Sequence, residues 1–319
     1  MMENDYNKAL LDTIKAKLPA GINPVWFVMD TLSIGKEAAY RRLRGEVPLL
    51  LQEAVLLSKA LGISFNELIE TVGDKTHYYS IFLLDFETPG EVDYNLLQVH
   101  LDNIGQAGDD ALSRLGVATN IFPLQLFLRY SSLARFALFK WNYLNGERQL
   151  KAYHEIKIAD RMQQVLSDLR QAHLQFSTTC YIFDRQLSRS LVNDLKYFTG
   201  TGLLSPGEAQ TIRREAHRLL DYMEQLAVTG KYENGNTVCM YVSDIHFSKS
   251  YYNIKAGAYY AGIIEMCVLN GLVSTGENCY RKMDEWLDSR RRLSTLISQS
   301  GELRRIAFFN EQRLQLDGF

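Results

Sequence analysis

The sequence lacks the residues and runs that mark several common protein classes. Its four cysteines lie far apart and form no CxxC pair, which indicates neither a zinc site nor a disulfide framework. Buried reduced thiols are the expected state of Cys180, Cys239, Cys267 and Cys279. No apolar run approaches the roughly 18 residues that a membrane helix needs, and the polar start MMENDYNK is unlike a signal peptide. We therefore expect a cytoplasmic protein with no membrane segment.

Catalytic signatures are also missing. The six histidines sit apart without an HExxH motif, and no GxSxG motif occurs. The stretch from Gly200 to Gly202 lacks the third glycine of a phosphate loop, and Ser205 with Glu208 instead predicts a turn into a capped helix. Asp109 and Asp110 lack the alternating oxygen ligands of a calcium loop. We therefore expect no enzyme, no cofactor and no bound metal.

Charge and length limit the classes of protein that remain. The net charge of −2 and the pI of about 6.3 indicate neither a general nucleic-acid coat protein nor a binder of anionic membranes. With 319 residues, of which 46% are hydrophobic and 23% charged, the chain is long enough for two or three globular domains.

The most informative segment spans residues 33–62, SIGKEAAYRRLRGEVPLLLQEAVLLSKALG. A short helix is predicted from about Gly35 to Arg44, and Gly45 ends it, because glycine tolerates the left-handed backbone that follows many helices. Four basic residues and one acid give this helix a local net charge of +3, with a tyrosine among them. The predicted exposed set is Lys36, Glu37, Tyr40, Arg41 and Arg44.

Helix signals surround this basic helix. Asn23 and Pro24 predict the start of a helix that runs to Leu32. The period of leucine and alanine predicts another helix over 49–61, and Ser64 with Glu67 has the spacing of a capping box that opens one more. With an apolar stripe over residues 6–18, the sequence predicts five helices in about 70 residues.

Residues 4–72 resemble the helix-turn-helix domains of the phage Cro and repressor (lambda-repressor-like) class, above all in AYRRLRGE and in ALGISFNEL at 60–68. The resemblance implies that the helix at 24–32 crosses the DNA backbone and that the helix at 36–44 enters the major groove. It further implies contacts to double-stranded DNA from the exposed set, with Arg42 facing phosphate, and a homodimer on near-palindromic sites.

An alternative interpretation keeps the fold without DNA binding. Residues 1–75 carry 9 basic and 10 acidic side chains, so their net charge is −1, whereas a non-specific binder has a broad positive surface. Val25 and Ser33 stand where the family often has glutamine and glycine. These features permit a protein-protein interaction module.

The rest of the chain predicts a mainly helical α+β region. Residues 76–90 are predicted to be a linker, and residues 91–319 a sensing or dimerisation region with helices over 92–115, 122–143, 153–176, 182–198, 206–226, 277–298 and 302–316. Three β-rich runs within 237–269 predict a small antiparallel sheet, although the third run could be helical instead. The overall fold class expected is therefore mainly α.

These patterns together predict a transcriptional regulator that reads specific DNA sequences. The C-terminal region would respond to a small-molecule or protein effector, or join two copies. Tyr241, Asp244 and His246 lie near a predicted strand end, where they could converge on a small molecule. A deep polar pocket with clustered ionisable groups would instead favour an enzyme in this region.

Overall fold

The computed structural model describes residues 5–18, 21–61, 63, 65, 79–145, 151–266 and 268–318. The chain divides into two compact units, Met1–Tyr78 and Tyr79–Phe319. The boundary lies inside the predicted linker at 76–90. The second half of that linker belongs to the larger unit, because residues 80–82 form a strand of its sheet.

The described part of the first unit holds four short helices. They are α1 (Tyr6–Lys17), α2 (Pro24–Leu32), α3 (Lys36–Leu43) and α4 (Leu51–Leu61). Each contributes apolar side chains to one small core, because apolar residues recur at helical spacing. The buried members of this core are Leu10, Leu11, Ile14, Val28, Ala39, Leu43, Ala54, Leu57 and Ile63.

The prediction of a five-helix bundle for this unit is not upheld. The helices have only 12, 9, 8 and 11 residues, and the predicted fifth helix falls outside the described residues. Local backbone features keep them short: Ser33 takes a left-handed conformation after α2, and Gly45 has a φ of 74° after α3. The Glu53 carboxylate accepts the Leu50 N–H at 3.0 Å and so fixes the start of α4.

The larger unit is built on one mixed sheet, which has eight strands in the part of the chain described. The strands are β1 (Ser80–Phe82), β2 (Arg114–Thr119), β3 (Thr178–Asp184), β4 (Thr237–Ser243), β5 (Tyr251–Ala256), β6 (Tyr259–Met266), β7 (Asn270–Thr275) and β8 (Ser294–Leu296). Their order in the sheet is β1-β7-β6-β5-β2-β3-β4-β8. Strands β2, β3 and β4 are parallel neighbours, and the other neighbouring pairs are antiparallel.

Helices connect and cover these strands. They are α5 (Glu91–Gly105), α6 (Leu124–Phe127), α7 (Ser131–Asn145), α8 (Asp160–Leu174), α9 (Arg189–Gly200), α10 (Pro206–Thr229), α11 (Glu277–Arg292) and α12 (Glu302–Asp317). The predicted cap of α10 is confirmed, since Ser205 and Glu208 satisfy each other's backbone N–H groups. Within the described ranges, no helix is both long enough and apolar enough to cross a bilayer.

The predicted fold class, mainly α with a small antiparallel sheet, is wrong. Strand β4 does not start a meander but pairs in parallel with β3, and β2 pairs with β3 on its other side. Residues 114–119 and 178–184 were predicted to lie within helices or between them. Buried parallel strands are short apolar runs whose pattern does not distinguish them from buried helix. The third β-rich run is a strand, β6.

The sheet is covered on both faces. On one face the rings of Tyr181, Phe183 and Phe308 stack in series, with centroids 5.5 Å and 6.0 Å apart, inside a core that includes α10 and α12. On the other face Ile182 packs against Leu287 of α11 in a smaller cluster. Alternate residues of β3 therefore face different helices, as the two-residue period of a strand requires.

Candidate nucleic-acid interface

The α2-turn-α3 segment has tight, locally determined geometry. The Asn23 carboxamide accepts the N–H of Val25 at 2.8 Å, which caps α2. Ser33 ends α2 with φ 53° and ψ 45°, and the Ile34 N–H donates to the Met29 carbonyl at 3.2 Å. Only residues 33–35 separate the two helices. This is the short connection that a helix-turn-helix arrangement requires.

The inner and outer faces of α3 differ sharply. Ala39 and Leu43 are buried in the small core, where short side chains allow α3 to pack closely on its neighbours. The opposite face carries the predicted cationic set in an exposed position. Lys36, Glu37, Arg41 and Arg44 are exposed, and Tyr40 is half-buried between the two faces.

Tyr40 organises two of these cations. Lys36 Nζ lies 6.0 Å from the centre of the Tyr40 ring, and Arg44 Cζ lies 5.6 Å from it. Such cation-π contacts at exposed positions contribute about 0.5–1 kcal/mol each. The residues at positions 36, 40 and 44 therefore form one ridge along α3, as a spacing of four residues predicts.

Arg42 lies apart from this exposed set. Its Nε and Nη2 atoms donate to the two carboxylate oxygens of Glu53 at 2.9 Å and 2.7 Å, a bidentate ion pair. The side chains are only 17% and 13% exposed. The hydrogen bond from Arg42 lowers the pKa of Glu53. Arg42 thus joins α3 to the start of α4, and a phosphate contact would require breaking this pair.

One acid lies against the cationic face. Glu46 is 3.8 Å from Arg41 and 3.4 Å from Arg44, in exposed ion pairs. With Lys36, Arg41 and Arg44 counted against Glu37 and Glu46, the exposed face carries a formal charge of +1, by 3 minus 2. The positive character of the face is therefore moderate, and Glu46 competes with any anion that approaches the two arginines.

The first unit also exposes apolar side chains. Leu50 is 65% exposed, Leu51 78% and Val55 44%, and Leu51 and Val55 lie one turn apart on α4. On α2, Trp26 is 63% exposed. Clustered exposed apolar residues are a feature of protein-protein interfaces.

In the larger unit, polar side chains meet where β3 and β4 end. Asp184 is buried and accepts the N–H groups of Gln186 at 2.8 Å and Phe247 at 2.9 Å. Its Oδ2 also lies 2.6 Å from Nδ1 of the exposed His246. Carboxyl ends of parallel strands commonly bind ligands, but here the Asp184 carboxylate is occupied by the loop that it orders.

The set predicted to converge on a small molecule does not do so. His246 pairs with Asp184, whereas the Asp244 carboxylate lies 2.6 Å from Arg304 and 3.7 Å from Arg185. Tyr241 packs beside the cluster under α11. Each of the three residues therefore makes a different contact.

A cleft of about 280 Å³ is lined by Glu87, Asn142, Lys151 and Lys157 among others. The Lys151 ammonium lies 2.7 Å from a Glu87 oxygen, and this contact lowers the pKa of Glu87. The Glu87 and Lys151 charges in this cleft therefore pair with each other.

Two histidines that seemed isolated in the sequence lie together. The rings of His100 and His173 have centroids 6.4 Å apart, and burial lowers the pKa of His100 to about 4. The Leu169 carbonyl lies 2.7 Å from His173 Nδ1. Over the described ranges, no group of three or more histidine, cysteine or acidic side chains is placed to hold a metal ion.

Comparison with known proteins assigns the chain to no family. No protein-family model, no curated protein and no solved structure matches it. The likeness of residues 4–72 to Cro and repressor domains therefore stays a prediction from their sequence.

Proposed function

We propose that this protein is a sequence-specific DNA-binding transcriptional regulator that acts in the cytoplasm. The observation that carries the proposal is the outer face of α3, where Lys36, Tyr40, Arg41 and Arg44 are presented on a short helix. A single cationic ridge on an otherwise slightly acidic domain suits selective contact by one helix better than general attraction to DNA.

Each exposed residue type has a role in this proposal. Arg41 and Arg44 supply guanidinium groups, which bind phosphate oxygens or the acceptor edge of guanine. Lys36 supplies a further positive charge, and the Tyr40 hydroxyl can donate to phosphate. Glu37 faces outward near the start of α3, where a carboxylate can accept from the amino group of cytosine. Arg42 instead holds the helix in place through Glu53.

The larger unit would supply regulation. Residues 79–319 form a compact unit with their own core, which suits a region that senses a small-molecule or protein effector or joins two copies. A homodimer would place two α3 helices on a near-palindromic site. An effector would then act by favouring one spacing of those two helices.

Selection from a randomised duplex library tests the proposal. The full-length protein, incubated at low salt, is expected to enrich a short motif, and a two-fold symmetric motif would support the homodimer. The double variant Arg41→Ala/Arg44→Ala is expected to enrich none. A matched control, Lys15→Ala/Lys59→Ala, removes the same charge from exposed positions on α1 and α4 and should retain enrichment.

A second candidate function is a protein-protein interaction module. The exposed apolar residues Leu50, Leu51 and Val55 favour it, as does the contact of Glu46 with both arginines. Failure of the wild-type protein to enrich any DNA at low salt would support this candidate over DNA binding.

A further inference from the structure

Two cysteines that are far apart in the sequence lie side by side in the sheet. Cys180 of β3 and Cys239 of β4 are register partners on neighbouring parallel strands, so their side chains share one face. Neighbouring strands lie about 4.7–4.9 Å apart, within the range of roughly 4.4–6.8 Å for Cα atoms that a disulfide joins. Neither thiol is in a disulfide.

The face that carries these thiols lies under α11. The Arg291 guanidinium of α11 acts electrostatically on both thiols and is itself held by Asp288 at 2.7 Å. Both cysteines are half-buried and not sealed in the core. The sulfur pair is therefore not enclosed in the core, and it lies beside a fixed positive charge.

In this arrangement the two thiols differ in pKa. The adjacent Cys180 thiol lowers the pKa of Cys239 to about 6, and the positive charge of Arg291 acts in the same direction. The same interaction raises the pKa of Cys180. The thiolate is the reactive form of cysteine. Cys239 is therefore the nucleophile of the pair, and Cys180 is the thiol that reacts in the second step.

We propose that Cys180 and Cys239 are a redox-responsive pair, which a hydroperoxide converts into a cross-strand disulfide. The Cys239 thiolate attacks the peroxide; an S–O bond forms, the O–O bond breaks, and the departing oxygen takes a proton to leave as water or an alcohol. The Cys180 thiol then attacks the Cys239 sulfenic acid, forming S–S and breaking S–O, and its proton leaves with the hydroxide as water.

The electrons balance in this sequence. The two sulfurs together lose two electrons, and one hydroperoxide gains them. A reducing thiol reverses the change by exchange with the disulfide. All the residues involved lie in the larger unit, so the proposal does not depend on DNA binding by the first unit.

Peptide mapping of the full-length protein tests the proposal. The reduced protein is treated with hydrogen peroxide near neutral pH, its remaining thiols are alkylated, and the digest is analysed without reduction. We expect one linked pair of peptides, which contain Cys180 and Cys239, and its loss after dithiothreitol. Cys279, buried with 2% exposure, should stay reduced and is the internal control.

Variants separate the two chemical steps. Cys180→Ser should stop at a sulfenic acid on Cys239, which dimedone traps, whereas Cys239→Ser should slow oxidation of Cys180 about tenfold or more, because its thiolate fraction is small. Arg291→Gln should raise the pH at which the pair is half-alkylated. Arg281→Gln, an exposed position on the same helix, is the matched control and should leave that pH unchanged.

The proposal is overturned if Cys180 and Cys239 stay fully alkylatable in the folded wild-type protein after peroxide treatment that oxidises a free thiol peptide. A disulfide that joins either residue to another cysteine, or to a second copy, would also overturn it. Both outcomes are measured on the wild-type protein, so they remain decisive even where a serine variant does not fold.

Discussion

The two units place their chemistry-bearing residues in different ways. In the first unit, Lys36, Tyr40 and Arg44 come together because they lie four residues apart on one helix. In the larger unit, the cysteine pair and the Asp184–His246 pair come together through strand register and loop packing. A local feature can therefore be predicted from residue spacing, whereas a feature assembled by a parallel sheet cannot.

The cores differ as well. The described part of the first unit buries nine apolar side chains in one cluster, whereas the main cluster of the larger unit is several times that size. Small domains bury a smaller fraction of their surface, so single changes matter more to them. We therefore expect the first unit to be more sensitive to a single core substitution than the larger unit.

The largest expected effect comes from matched leucine truncations. Leu57 of α4 and Leu219 of α10 are both fully buried, and replacing either with alanine should cost about 2–5 kcal/mol. The shift in melting temperature per kcal/mol is roughly twice as large for a domain under 100 residues. Calorimetry should therefore show a larger downward shift for Leu57→Ala. Equal shifts in the melting temperature of one shared transition would contradict independent unfolding of the two units.

A smaller loss is expected when Arg42 is replaced. Arg42→Ala leaves the Glu53 carboxylate without its bidentate partner and should cost about 1–3 kcal/mol of unfolding free energy. Arg44→Ala, at an exposed position, is the control and should cost within about 0.5 kcal/mol. Denaturant unfolding of both variants measures the difference. A loss no greater than that of the control would show that the ion pair is not structural.

The same pair predicts a pH dependence. Arg42 lowers the pKa of Glu53 in the folded protein, so its stabilisation is complete above the unfolded value of about 4.3 and disappears as the pH falls through the lower folded value. The stability difference between wild type and Arg42→Ala should therefore shrink below about pH 4. A difference that stays constant to pH 3 would contradict this assignment.

A gain in stability is expected at the turn between α2 and α3. Ser33 has a φ of 53°, a left-handed conformation that glycine adopts without the Cβ penalty. Ser33→Gly should therefore stabilise the first unit by about 0.5–1 kcal/mol, after the greater unfolded-state entropy of glycine is subtracted. Ser33→Ala is the control, which should bring no gain. Thermal unfolding that ranks the two equally would refute backbone strain at this turn.

The smallest expected effect concerns DNA affinity. Glu46 pairs with Arg41 and Arg44, so Glu46→Gln should release both and tighten binding about two- to fivefold at low salt, in line with the modest strength of exposed ion pairs. Asp12→Asn removes an exposed acid from α1 and controls for net charge. Equal gains from both variants would point to general charge and not to α3.

The sequence allowed the helices of the first unit to be predicted closely, because their ends are set locally. Pro24 begins α2 as predicted, and α3 lies within one residue at each end of its predicted range. The outward position of Arg41 and Arg44 followed from helical spacing. The pairing of Arg42 with Glu53 did not, since it depends on how α3 meets α4.

The sheet could not be predicted in the same way. Strands β2 and β3 are short runs between helices, and a run of that length fits a buried helix equally well. The 58 residues between Cys180 and Cys239 carry no sign of their pairing. Only the register of two parallel strands reveals it, and register depends on contacts across the whole unit.

The most direct test of DNA contact through α3 is the salt dependence of binding to the selected motif. Each phosphate contact contributes about 0.9 to the slope of log affinity against log salt. Arg41→Ala/Arg44→Ala should weaken binding and reduce the slope by the contribution of about two phosphate contacts. Lys15→Ala/Lys59→Ala, with the same loss of charge, should change neither the affinity nor the slope. An unchanged slope and affinity for the arginine variant would contradict DNA contact through α3.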